Sequence, residues 1–157
     1  MDVAELFKNI RDIKGEIMTL EKHEEYTRLS MFPGAVRYDK ANVQSSPEDP
    51  MLKFAERISE DEELIQKRLT RLRELNLMCQ KILDQMPTAK YRNLLLLRYI
   101  EGGLKYRYSW SEVAMNIGYD EQYTRWDLHR AALNEAQETY NDMKNETSNN
   151  IQHKDMI

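Results

Sequence analysis

The sequence predicts an all-α protein, and three observations carry that prediction. The 157 residues include only 5 Gly and 4 Pro while 32% are charged, the make-up of charge-rich helices rather than of a β-sandwich. Apolar residues recur three and four apart over two long stretches, the period of one helix face. Helix-capping and helix-breaking residues stand at the ends of those stretches. No apolar run approaches the roughly 18 residues of a membrane span; even Leu94-Leu95-Leu96-Leu97 is closed off by Arg98. The N-terminus lacks the basic-then-apolar pattern of a secretory signal. A single cysteine, Cys79, excludes an internal disulfide and a Cys-based zinc site of the usual kind. A cytoplasmic protein with no membrane contact is expected.

Residues 1–86 read as two long heptad-patterned helices. In the first, roughly residues 2–30, the seam runs Val3, Leu6, Ile10, Ile13, Ile17 and Leu20. Gly15 interrupts it at a cost on the order of 1 kcal/mol relative to alanine, so this helix should be marginal alone. A connector at about 31–50 follows, bounded by Pro33-Gly34 and by Ser46-Pro47 and Asp49-Pro50. Nearly twenty residues is long for a helix–helix link. The second helix, about Met51 to Met86, carries Ile58, Ile65, Leu69, Leu72, Cys79, Leu83 and Met86 on one seam, with Glu62 and Asn76 also on it. An asparagine on such a seam often fixes register by pairing with a polar partner. The two helices could form a helical hairpin, the favoured arrangement, or a coiled coil that makes a homodimer.

The remainder divides into a segment 87–143 and a polar tail 144–157 expected to be disordered. Pro87 breaks the long helix, Thr88 is a candidate cap, and the next helix ends at Gly102-Gly103. Ser109 and Glu112 then form a capping box, in which the hydroxyl accepts from the Glu112 amide and the carboxylate reaches back to the Ser109 amide. Val113, Ala114 and Ile117 give the short helix an apolar face, and Gly118 can adopt the left-handed conformation that ends it. Asp120 can cap a following helix that buries Thr124, Leu128, Ala132 (or Ala131) and Leu133. A short capped helix, a glycine turn and a longer second helix describe a helix-turn-helix.

The start of the second helix of such a unit enters the major groove of double-stranded DNA. Its outward residues are Glu121, Gln122, Arg125, Trp126 and His129, with Tyr123 at the boundary, and these are the candidate base readers. Lys90, Arg92, Lys105, Arg107 and Arg130 are candidate phosphate contacts. Between Thr88 and Arg130 seven cations face five anions, whereas the whole chain carries −4. That balance permits DNA binding without demanding it. Trp110 reads as core, while Trp126, on the outer face, wants a partner.

The stretch Tyr91-Arg92-Asn93-Leu94-Leu95-Leu96-Leu97-Arg98-Tyr99-Ile100, followed by Trp110-Ser111-Glu112-Val113-Ala114, Ile117-Gly118-Tyr119, Tyr123-Thr124-Arg125, Leu128-His129 and Ala132-Leu133, resembles the sigma-70 region 4-like domain of small phage regulators. These are of the RinA and ArpU type, with a related streptococcal phage family. Pro33-Gly34-Ala35-Val36-Arg37-Tyr38-Asp39-Lys40 and Val43-Gln44-Ser45-Ser46-Pro47 look like that family's N-terminal half. The resemblance implies a C-terminal domain of sigma region 4 type and a regulator of late phage or prophage genes, acting through promoter DNA and touching RNA polymerase. Gly103 to Tyr108 departs from the pattern as a short insertion. Trp126 and Arg130 stand where smaller residues are usual, which alters the DNA-facing surface.

No enzyme is expected. His23, His129 and His153 lack metal-ligand spacing, no glycine-rich phosphate loop is present, and no cofactor is implied. Cys79 falls on an apolar seam and reads as an inert core thiol. The competing reading is a coiled-coil interaction protein or a phage packaging component resembling a terminase small subunit. That class usually places its DNA-binding module first.

Overall fold

The structure, a computed structural model, describes residues 1–31, 49–104 and 106–156. It is all-α, with no strand among the described residues. Two long helices, α1 (Val3–Ser30) and α2 (Pro50–Gln85), are followed by α3 (Ala89–Leu95), which widens into a π-helical segment, Leu96–Ile100. Next come α4 (Trp110–Ile117) and α5 (Glu121–Tyr123). The latter runs through a second π segment, Thr124–Leu128, into α6 (His129–Asp155) without a break in the rod. Residues 32–48 of the anticipated connector lie outside the described residues. None of the described helices is long and apolar enough to cross a membrane.

The helices α1 and α2 lie side by side and run in opposite directions. Two cross-helix ion pairs and one hydrogen bond establish the register: Glu16–Arg68 at 2.9 Å, Arg28–Glu62 at 2.7 Å and His23–Asp61 at 2.6 Å. These pairs are largely exposed and contribute little individually. Apolar burial holds the helices together, and the seam residues Val3, Leu6, Ile10, Ile13 and Ile17 are all buried. On α2, Ile58, Ile65, Leu72, Cys79 and Leu83 are buried as the seam requires, as is Met86 just beyond its end, and Leu75 and Ile82 widen the stripe. Cys79 is fully enclosed, and burial pushes its thiol pKa up to about 12. The Asn76 side-chain oxygen is also buried, but it finds no hydrogen-bond partner among the described residues, so the polar pairing expected there is not made.

Two expectations about organisation need correction. A boundary at residue 86 does not divide the packing. One continuous buried cluster includes Phe7 and Ile10 of α1, Leu75 and Ile82 of α2, Leu94, Leu95 and Tyr99 of the α3 rod, Val113 of α4, and Leu128 and Ala132. The start of α1 is also stitched to α6: the Val3 amide donates to Gln137 Oε1 at 2.9 Å, and Gln137 Nε2 donates to the Met1 carbonyl at 3.2 Å. A helix N-terminus has amides without intrahelical partners, and Gln137 satisfies one of them. The tail, expected to be disordered, continues α6 through Asp155 although residues 144–156 are exposed. Once a helix is nucleated by packing, each further turn costs little, because propagation adds one hydrogen bond per residue ordered.

Gly15 also plays a different part from that of a simple weak point. A Cβ there would stand 2.9 Å from Arg107 Nη1, so the bare backbone lets that guanidinium rest against α1. Thr88 occupies the cap position of α3 but makes no capping bond with its side chain. Its amide and hydroxyl both go to the Glu135 carboxylate, at 2.9 and 2.7 Å, which ties the start of α3 to α6.

Candidate nucleic-acid interface

The unit from Ser109 to Leu128 is built by local signals. Ser109 caps α4 by accepting from the Glu112 amide at 3.2 Å. The Glu112 carboxylate in turn accepts from the Ser109 hydroxyl at 3.1 Å and from the Tyr106 hydroxyl, and it is also stabilised by the Ser109 backbone amide, as the expected box requires. Those bonds, that of Tyr106 above all, hold the carboxyl below its ordinary pKa. Gly118 closes α4 in the left-handed conformation, φ 80° and ψ 28°, with its amide on the Ala114 carbonyl at 2.9 Å. An L side chain is strained in that conformation, which is why glycine stands there. Asp120 then caps α5, accepting from the Gln122 and Tyr123 amides at 3.1 and 3.2 Å.

The rod that starts at Glu121 buries Thr124, Leu128 and Ala132 against the core, with Leu133 half-buried. Of the two alanines weighed, Ala132 is the one enclosed. The residues left outward are Glu121, Gln122, Tyr123, Arg125, Trp126 and Asp127, all exposed. Trp126 is 58% exposed despite its size, and the Arg125 guanidinium lies 5.0 Å from its ring centre. Beside it a cleft of about 480 Å³ is lined by Trp110, Leu133 and Ala4 together with Arg125, Trp126 and Arg130. Trp110 is half-buried rather than core, with the Arg98 guanidinium 4.2 Å from its ring centre.

His129, expected among the base readers, is half-buried: it lines the cleft beside Trp126 while its ring turns towards Tyr99. Its Nε2 meets the Tyr99 hydroxyl at 2.7 Å, and its ring packs on Tyr99 and edge-on to Trp110, at 5.9 and 4.6 Å between centres. A helix position one turn beyond Arg125 lies at the edge of the outward face, and the aromatic pair at the end of α3 draws the ring inward. Burial, aided by the charge of Arg98, lowers the imidazole pKa from 6.5 to about 4, so the ring is neutral at pH 7.

A pH dependence follows from this burial. Above pH 6.5 the ring is neutral in both the folded and the unfolded chain. As pH falls towards 4 the unfolded chain takes up the proton and the folded chain does not, so folding stability drops across that window. The expected loss is roughly 1–2 kcal/mol after allowing for solvent screening. Urea midpoints at pH 7 and pH 4.5 should therefore fall further apart in the wild type than in His129→Gln. Equal differences in the two proteins would refute the assignment.

The phosphate candidates separate into groups. Lys90 stands beside the turn, with its ammonium 5.3 Å from the Tyr91 ring centre and 5.7 Å from that of Tyr119. Arg107 and Arg130 are exposed. Arg92 is half-buried and donates to the Met86 carbonyl at the C-terminal end of α2, so it serves as a helix cap and is poorly placed as a free cation. Lys105 lies outside the described residues.

Two cations that sequence reasoning passed over belong to this region. Lys14 is 2% exposed and donates to the Tyr99 and Ile100 carbonyls at 3.0 and 2.7 Å. Arg11 Nη1 reaches the Arg98 and Tyr108 carbonyls at 3.1 and 3.3 Å. The π segment ends on the Glu101 amide bonding back to the Leu96 carbonyl at 2.8 Å, and the carbonyls of its last turn are taken up by α1. A signal for this was present. Phe7, Ile10, Lys14 and Ile17 form a second three-four-three stripe, in which the lysine stands at an interior position.

The fold and this surface define an all-α protein that presents a capped helix–glycine turn–helix unit with polar and aromatic residues on its outer face. Comparison of the chain with family models, with curated proteins and with solved structures finds no match.

Proposed function

We propose that the chain is a sequence-specific DNA-binding transcriptional regulator of the phage type, similar to the sigma-70 region 4-like regulators, with the α5 rod as the reading helix. The observation that carries this reading is the Ser109-capped α4, the left-handed Gly118 and the Asp120-capped α5, which together leave Gln122, Arg125 and Trp126 outward while Thr124 and Leu128 are buried. Glutamine and arginine can each pair bidentately with a base edge, and an aromatic ring packs on thymine methyl groups. Glu121 disfavours phosphate approach, so its place is against a cytosine amino group or in solvent. Work in the cytoplasm of a bacterial host, on late promoters and together with RNA polymerase, belongs to the same proposal.

Binding to promoter fragments tests it. Arg125→Ala and Gln122→Ala should each weaken promoter binding by about 1–3 kcal/mol and relax base preference, with folding unchanged. Leu128→Ala, which truncates a buried side chain, should instead unfold the unit at a cost of roughly 2–5 kcal/mol. Normal binding by both polar variants in their folded state removes α5 as the reader. A wild-type protein that prefers no promoter fragment over random duplex turns the assignment towards the interaction-protein alternative. Sedimentation of the full chain reads the oligomeric state directly.

A further inference from the structure

Six cations from three separate parts of the chain form a run that leads from the middle of α1 to the α5 rod: Arg11 and Lys14 from α1, Arg98 and Arg107 from either side of the glycine turn after α3, and Arg125 and Arg130 from the final rod. Their connection is geometric. The Tyr108 carbonyl accepts from both Arg11 and Arg98, at 3.3 and 2.9 Å, which brings two guanidinium groups onto one oxygen. Arg107 rests against the backbone of α1 at Gly15, one residue from Lys14. Arg98 lies over Trp110, and the cleft beyond that ring is flanked by Arg125 and Arg130.

Among the described residues none of these six forms an ion pair, although ion pairs occur along α1 and α2. The partners of Arg11, Lys14 and Arg98 are neutral carbonyls. Asp12 and Glu101 are the carboxylates near enough to be felt, by Arg11 and Lys14 respectively. Mutual repulsion is correspondingly present: Arg107 opposes the charge on both Arg11 and Lys14, and burial together with Arg11 pushes Arg98 down to about 10. Like charges gathered at a cost to the fold, in a protein of net charge −4, call for an anionic counterpart outside the chain.

We infer that this belt is a phosphate track, in which Arg107 on the α1 side and Arg130 on the α5 side engage the backbone of one DNA duplex beside the base-reading Arg125, while Arg11, held by carbonyls, adds its field, so that the α1 side is part of the nucleic-acid interface. The inference rests on α5 being the DNA-facing helix and adds a contact region that the reading helix alone does not supply. Lys14, enclosed by the fold, contributes its field and holds the α3 end in place. Arg107 makes the outermost contact: it is exposed, and it has no hydrogen bond to lose among the described residues.

Binding of the full chain to a random-sequence duplex, followed by fluorescence anisotropy across salt concentration, tests this. Each phosphate neutralised by the protein steepens the plot of log affinity against log salt by about 0.9. Arg107→Gln should lower that slope by about one contact and weaken binding at low salt, and Arg107→Lys should restore both. Arg11→Gln should add to the loss; circular dichroism and a urea midpoint on each variant keep folding separate from contact. Wild-type binding with a slope unchanged by Arg107→Gln overturns the track and leaves the α5 reading standing. A wild type that binds no duplex at low salt overturns both.

Discussion

Phe7→Ala is expected to destabilise the protein by roughly 3–5 kcal/mol, the cost of removing a fully enclosed aromatic ring and leaving a cavity. Phe7 has no exposed surface, and its ring lies 5.5 Å from that of Tyr99, so it joins α1 to the end of the α3 rod. The form of the transition matters as much as its midpoint. Because one buried cluster spans α1, α2, the α3 rod and α6, the variant should lose the helix pair and the α4–α5 unit together, in one urea transition seen by both far-ultraviolet circular dichroism and tryptophan fluorescence. The two tryptophans, Trp110 and Trp126, both stand at the α4–α5 end. If the mutation shifts the dichroism midpoint and leaves the fluorescence midpoint where it was, the two halves are independent and the single core is wrong.

The second large effect is expected at Lys14. Lys14→Met keeps the aliphatic stem in place but removes the ammonium that satisfies the Tyr99 and Ile100 carbonyls. Two terms oppose each other. Burial penalises the charge and lowers the lysine pKa, so its removal relieves a cost. Against that, carbonyls at a helix end lose charge-assisted bonds in a site that water enters poorly, at about 1–3 kcal/mol for a group left unpaired. The last turn of a helix also favours a cation. The second pair of effects prevails, because two carbonyls lose their partner at once, and a net loss of about 1–3 kcal/mol is expected. Faster hydrogen exchange at Glu101 to Leu104 should accompany it. A variant as stable as the wild type, with unchanged exchange, would show that the ammonium is dispensable there.

Much of the fold could be read in advance. The α1 and α2 seams are regular, and burial of Val3, Ile10, Ile17, Ile65, Leu72 and Cys79 follows from their spacing alone. Both ends of α4 and the start of α5 were equally legible, since Ser109, Gly118 and Asp120 act on backbone groups within four residues of themselves. The outward placement of Gln122, Arg125 and Trp126 came from the same periodicity.

The misreadings have a common cause. His129 lies on the margin of the outward face, and only the approach of Tyr99, thirty residues earlier, turns it inward. Thr88 carries the chemistry of a cap, yet its hydroxyl and amide both donate to the Glu135 carboxylate, and no α3 amide donates to its side chain. Arg92 reads as a free cation until the end of α2 is placed beside it.

Local chemistry in the sequence therefore determined the all-α class, the helix seams and the capped unit from Ser109 to Asp120, because each depends on groups within one or two helical turns. Tertiary structure decided that α1 and the α3–α6 region share one core, that the His129 ring is half-buried against Tyr99, and that Arg11 shares the Tyr108 carbonyl with Arg98. Those outcomes depend on contacts between residues far apart in the chain, such as Lys14 with Ile100 and Val3 with Gln137. Helical periodicity tells which face of a helix is buried and is silent on which other helix buries it.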